Sequence, residues 1–248
     1  MIISFFEEFP TGQNLDRLRY LSQPTKLYLA AESVPEFKKI ISNIKSKNVK
    51  ECIYWPLLQR KEGYWISPFS ERKALLRIFQ ELEGENIPVM LDLELPTTQN
   101  PLLYLTESFH FWFNKRLIQN FIENYGGEIY LAEYYPEGKR SERALELLGL
   151  HYVHPKVKVI KMFYRSMHHF SDDFLKKELQ RGKQEYDSRF IPSLGVIAPG
   201  IMGNEAVLSP QQLEQDLLIA KKAGIKEVIL FRLGGMEKEY AKIISKYV

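Results

Sequence analysis

The sequence predicts one α/β domain, a single (β/α)8 or TIM barrel spanning residues 1–248. Three observations carry this. Eight strand-like apolar runs alternate with eight helical patterns to the end of the chain. The length of 248 residues suits one such barrel. The first strand-like run is followed by Glu7-Glu8-Phe9-Pro10-Thr11-Gly12, not by the glycine-rich phosphate turn that a doubly wound open sheet usually carries there.

Taken in order, the strand-like runs lie near 2–6, 26–31, 50–55, 88–93, 128–133, 157–163, 191–197 and 227–232. The helical patterns lie near 14–21, 35–47, 70–84, 107–124, 138–148, 171–185, 209–223 and 237–247. Several boundaries carry their own signals. Ser33 precedes Pro35 and Glu36, and Ser70 precedes Glu71, as hydroxyl caps at helix starts should. Ser209-Pro210 opens a run that ends Lys221-Lys222-Ala223-Gly224, with basic residues in the last turn and a glycine stop. The stretch from Ser209 to Phe231 therefore reads as a complete helix-then-strand unit.

Hydrophobic residues at 45% and charged residues at 26%, without a linker or low-complexity tract, predict an ordered, soluble protein. The 34 basic and 31 acidic residues are interspersed, so no basic stripe marks a nucleic-acid partner. Cys52, the one cysteine, sits in a strand-like run and reads as a small buried residue. No apolar stretch approaches the length of a membrane span, and the N-terminus lacks the basic region of a signal peptide. With Met1 as the native start, the expectation is a cytoplasmic protein with no membrane partner. Frequent Lys, Glu, Ile and Tyr fit a thermophilic source. No phosphate-binding loop or nucleophile elbow occurs, and no cofactor is implied.

Barrel sites are assembled at the C-terminal ends of the strands. There the sequence offers Glu7 or Glu8, Glu32, Trp55, Asp92 with Glu94, Glu133 with Tyr134 and Tyr135, Tyr164 with Arg165, and Arg232. The fourth run is the most informative. In Ile87-Pro-Val-Met-Leu-Asp-Leu-Glu-Leu-Pro96, Val89, Leu91 and Leu93 share one face while Met90, Asp92 and Glu94 share the other. Two carboxylates aimed into one cavity raise one pKa, which suits general-acid chemistry. Glu32 follows Tyr28 and Ala30 on one face and is expected to point inward too. Glu133 shares its face with Ile129 and Leu131, which could equally be the outward, helix-packed side. Aromatic plates beside carboxylates suit a sugar, and Trp55, Trp65, Tyr134, Tyr135 and Tyr164 are candidates for the plates. Core packing is the alternative for each. The expected ligand is a small-molecule or oligosaccharide substrate.

Asp92-Leu-Glu-Leu-Pro96 resembles the end of the family 18 glycoside hydrolase signature, D-x-x-D-x-D-x-E. Met162-Phe163-Tyr164 is similar to that family's M-x-Y element, and Val228-Ile-Leu-Phe-Arg-Leu-Gly-Gly235 to its eighth-strand end. The resemblance implies that Glu94 protonates the leaving glycosidic oxygen. It further implies that Asp92 orients the neighbouring group that attacks the anomeric carbon, with Tyr164 hydrogen-bonding the attacking carbonyl, a substrate-assisted scheme. Glu32, Trp55, Glu133, Tyr134, Arg165 and Arg232 are then the substrate-binding candidates. The chain departs from the family at Ile87 and Met90, where the signature has Asp, at Arg232 in place of a Trp, and at Arg165 in place of an Asp.

Two other readings stay open. A divalent-metal barrel of the sugar isomerase or endonuclease type would recruit Glu32, Glu94 and Glu133 with His168 and His169. A non-catalytic carbohydrate-binding barrel would use the same mouth without turnover.

Overall fold

A computed structural model describes residues 1–97, 102–134 and 138–248, with the side chains of all of these except 134 and 138–141. Its strands are β1 (Ile2–Glu7), β2 (Thr25–Ala31), β3 (Val49–Pro56), β4 (Val89–Leu93), β5 (Ile129–Tyr134), β6 (Val157–Met162), β7 (Phe190–Val196) and β8 (Glu227–Phe231). They follow one another in chain order into a closed barrel. The helices among the described residues are α1 (Gly12–Leu15), α2 (Val34–Ser42), α3 (Arg72–Leu82), α4 (Leu102–Ser108), α5 (Phe111–Asn124), α6 (Gly138–Leu147), α7 (Asp172–Tyr186), α8 (Pro210–Lys222) and α9 (Lys238–Ile244). The expected (β/α)8 barrel is what the chain forms.

The chain divides into two compact units. The first comprises Met1–Ala30, Lys39–Ile53 and Val159–Val248, and the second Ala31–Lys38 and Tyr54–Lys158.

In the first unit β1 lies between β2 and β8, all parallel, with Phe5 opposite both Leu27 and Leu230. Alternation along β1 separates Ile3 and Phe5 from Ser4 and Phe6. The second set turns inward, where Phe6 meets Tyr28 and Phe231 edge-on or tilted. At the N-terminal ends of these strands, Lys26 pairs with Glu51 and Glu227, and Ser4 Oγ donates to Glu227 at 2.7 Å. Burial works against the Lys26 ammonium, but the two carboxylates raise its pKa above the usual value. Cys52 is half-buried, and burial pushes its thiol pKa to about 11, so it stays protonated and unreactive at neutral pH. Helix α8 begins as its sequence requires: Ser209 Oγ accepts from Gln212 N at 3.2 Å and Pro210 takes the first turn. Gly195 allows α8 and its leading segment to close on β7. Its φ is +74°, and a Cβ there would come within 1.8 Å of Leu208.

In the second unit β4 pairs with β5 over its full length, and Tyr54 of β3 pairs with Val89. Helix α3 buries Ala74, Leu75, Ile78, Phe79 and Leu82, the stripe of an amphipathic helix. Phe79 stacks on Phe121 of α5 with ring centroids 4.3 Å apart. The helix expected over 107–124 is two helices, with Phe109 and His110 outside both. Glu107 is drawn inward at that break, where its carboxylate accepts from Arg72 N and from Asn114 Nδ2. Buried Asn114 also donates to the carbonyls of Pro68 and Ser70. Satisfying those buried backbone groups fixes α5 on the loop before α3.

Candidate active site

In the second unit Asp92 is buried on the inward face of β4, and Glu94 lies half-buried just beyond the strand end. Trp55 is buried on β3 and stacks in parallel on Trp65, with centroids 6.1 Å apart and planes 6° from coplanar. The loop that carries Trp65 is tied to the end of β4 at three points. Ile66 N donates to Asp92 O at 3.1 Å, Thr97 N donates to Gly63 O at 3.1 Å, and Trp65 Nε1 donates to Thr97 Oγ1 at 3.2 Å. The tryptophan pair is therefore fixed relative to the acid-bearing strand.

A second set of contacts holds that loop from behind. Glu62 receives both guanidinium nitrogens of Arg77, at 3.0 and 2.9 Å, and accepts from Gln59 N at 3.0 Å. The Arg77 hydrogen bonds hold the Glu62 carboxyl below its usual pKa. Neither residue was singled out by the sequence. Glu62 three residues after Gln59 is a capping spacing, but its partner on α3 carries no local signal.

Glu133 takes the outward face. It is fully buried, and its two carboxylate oxygens lie 3.0 and 2.9 Å from Nδ1 of His151, itself buried. Ile129 and Leu131 share that face, so the helix-packed alternative is the one observed, and Glu133 serves as a buried partner for a loop. Glu32 falls one residue past β2, is exposed, and its backbone N–H donates to Glu36 Oε2 at 2.8 Å. The side chain of Tyr134, and Tyr135 as a whole, lie outside the described residues.

In the first unit the neighbours Glu7 and Glu8 separate to opposite faces. Glu7 is fully buried and accepts from Phe9 N, Asn14 Nδ2, Gly234 N and Arg232 Nη1, at 2.6 to 3.2 Å. Burial raises its pKa, opposed by Arg232 and the backbone N–H groups. Arg232 also donates through Nε to Pro199 O at 2.8 Å and lies over the Phe9 ring. It is thus a clamp joining the β1 end to the loop after β7. Arg165 is likewise engaged on the outward side. Its Nη1 is 2.6 Å from Asp216 on α8, its Nη2 is 2.7 Å from Asp172, and its Nε donates to Phe170 O at 2.9 Å. Burial pushes the Asp216 carboxyl up to about 6, despite the opposing Arg165 charge.

Tyr164 follows β6 on the inward side, where Ser193 Oγ donates to its hydroxyl at 3.4 Å and its ring tilts against Phe231. Buried Glu8 accepts from Ile201 N at 3.0 Å, so the loop after β7 folds back onto β1. Glu205 belongs to the same loop. Its Oε1 accepts from Met202 N, and a Cβ on Gly200 would lie 2.7 Å from Glu8 Oε2 and 3.1 Å from Glu205 Oε1. Glycine at position 200 lets both carboxylates converge on one backbone site. His168 stacks on Phe170, and Ser171 caps α7 through Phe174 N. Among the described residues no group of three His, Cys, Asp or Glu side chains could hold a metal ion.

No family model matches the chain, and no curated protein matches its sequence. Solved structures share its fold. The PgaB (BpsB) glycoside hydrolase domain of Bordetella bronchiseptica is 12% identical with a TM-score of 0.54, covering 97% of this chain and 95% of that one. A chitinase from Chromobacterium violaceum is 8% identical with a TM-score of 0.56, over 99% and 98% of the two chains. A D-allulose 3-epimerase from Methylomonas sp. is 10% identical with a TM-score of 0.55, over 99% and 97%. The chain therefore shares its barrel with both glycoside hydrolases and sugar epimerases, and at these identities the likeness is one of fold.

Proposed function

We propose that this barrel acts on a carbohydrate or glycoconjugate by general-acid catalysis, with Glu94 as the proton donor and Asp92 assisting. The observation that carries this is the anchoring of the Trp55–Trp65 stack to the strand end bearing both acids. Both rings are buried, so the stack braces the strand end, and half-buried Glu94 just past that end is the acid proposed to meet the ligand. The order Asp92-Leu93-Glu94, with its resemblance to family 18 glycoside hydrolases, supports the division of roles, and the fold likeness to glycoside hydrolases agrees with it. The role of Tyr164, to hydrogen-bond an attacking carbonyl, is proposed on the resemblance alone.

In this reading Glu94 delivers its proton to the glycosidic oxygen as the bond to the anomeric carbon breaks. Asp92 stabilises the positive charge that develops beside it. Glu133, Arg165 and Arg232 contribute as supports, since each is engaged by a buried or outward partner.

The test is a panel of chromogenic glycosides, N-acetylated sugars included. Glu94→Gln is expected to lower kcat by about 10²–10⁴-fold, the usual contribution of a general acid. Tyr164→Phe is expected to lower kcat without raising KM. Turnover by wild type that Glu94→Gln leaves unchanged would overturn the assignment.

A further inference from the structure

One guanidinium ties the loop between β6 and α7 to α8. Inside the loop, Met167 N and His168 N both donate to Tyr164 O at 2.9 Å, and Phe170 N donates to His168 O at 2.7 Å. Arg165 Nε closes the turn on Phe170 O. Outside the turn, its Nη2 lies 2.7 Å from Asp172 Oδ1 at the start of α7, and its Nη1 lies 2.6 Å from Asp216 Oδ1 on α8. The two carboxylates differ in setting. Asp172 is half-exposed and also accepts from Gln215 Nε2 at 2.9 Å. Asp216 is fully buried, Arg165 is its one hydrogen-bond donor among the described residues, and its Oδ2 is buried without a partner.

An ionised carboxylate buried with a single donor depends on that donor. The dependence is reciprocal: if docked Arg165 favours the ionised form of Asp216, ionised Asp216 equally favours the docked Arg165. We propose that this contact is a pH-operated latch, in which ionised Asp216 holds the β6–α7 loop on α8 and protonation of Asp216 lets the loop go. Burial acts on the Asp216 carboxyl most strongly, opposed by the charge and hydrogen bond of Arg165 and reinforced by Asp172, and leaves its pKa at about 6. Those two are the charged groups that act on it, and the latch works just below neutral pH. Protonation also relieves the burial of a charge, so it steadies the fold as a whole while freeing the loop. Local release without global loss separates the latch from ordinary acid unfolding. The loop starts beside Tyr164, so release reaches the residue proposed to meet an attacking carbonyl, although the latch itself does not rest on that role.

The test is amide hydrogen exchange of the full chain at about pH 8 and about pH 5, read as protection factors at Met167, His168 and Phe170. In wild type these are expected to fall about tenfold on acidification, within the usual range of coupling between two sites, while the amides of β6 and β7 keep theirs. Asp216→Asn, isosteric and uncharged, should lower loop protection about tenfold at the higher pH and abolish the response to acid. Histidine is a residue type that changes charge near neutral pH, and His168 and His169 belong to this loop. Replacing both, His168→Gln with His169→Gln, should leave the response intact. Wild-type loop protection that does not change with pH, a response that survives Asp216→Asn, or one that the histidine substitutions abolish would each overturn the proposal.

Discussion

Asp92 and Glu133 sit almost level on neighbouring strands, for β4 and β5 pair Asp92 with Ala132 and Leu93 with Glu133. One residue of offset sends the two carboxylates to opposite faces. On the outward face Glu133 is fully buried against His151 and joins a strand to a loop. On the inward face Asp92 stands in the strand whose end anchors a tryptophan stack. The first unit repeats the division one residue apart: Glu7, outward, takes four hydrogen bonds from its surroundings, while Glu8, inward, meets a returning loop. Strand-end acids in this barrel therefore fall into two groups. The outward group holds the scaffold together, and the inward group faces the barrel interior, where Glu8 also holds the loop after β7.

The comparison breaks most visibly through substitution of the outward acids. Glu133→Ala removes one member of a buried pair and should cost about 3 kcal/mol of unfolding free energy in urea. Glu7→Ala, which leaves buried backbone donors without an acceptor, should cost a similar amount. Glu94→Gln, at a half-buried position past the strand end, should change stability by no more than about 0.5 kcal/mol. An outward substitution that left the urea midpoint in place would dissolve the distinction between the two groups.

A pH-dependent effect comes from Asp216, the outward partner of Arg165. Its carboxyl titrates near pH 6 in the folded protein, against an ordinary value of 3.8. A folded-state pKa above the unfolded one means that the native protein holds the proton longer. This contribution to stability is complete below about pH 4 and is lost as pH rises to about 6, amounting to up to about 3 kcal/mol. Asp216→Asn should flatten that slope in thermal melts collected across the window. An unchanged slope would show that Asp216 is not the group responsible.

The sequence carried the strands well, because period-two alternation and apolar runs are local properties. It placed Val89, Leu91 and Leu93 against Met90 and Asp92 correctly for the same reason. For Glu133, alternation left both sides open. What decided it was His151, eighteen residues away and positioned by the approach to β6. Arg165 and Asp216 are fifty-one residues apart, and Arg232 reaches Glu7 across nearly the whole chain, so these pairings exist only after the barrel closes. The break between α4 and α5 was hidden in another way. Helical periodicity continues through Phe109 and His110, but at the break Glu107 turns inward to accept from Arg72 N and Asn114 Nδ2, contacts that only the fold supplies.

A further effect concerns the support behind the tryptophans and sharpens the comparison. Partly exposed Arg77 gives two hydrogen bonds to buried Glu62, so Arg77→Gln should cost about 2 kcal/mol of stability. Glu62, however, caps the loop that carries Trp65, and Trp65 reaches Thr97 past the β4 end. Loosening the cap lets the Trp65 ring depart from the Trp55 plane while Asp92 on β4 and Glu94 just past it keep their places. The expected signature is a change in tryptophan fluorescence, because the ring stack is disturbed while the strand beside it keeps its place. Unchanged emission in Arg77→Gln would show that the Glu62 cap does not hold the stack in place.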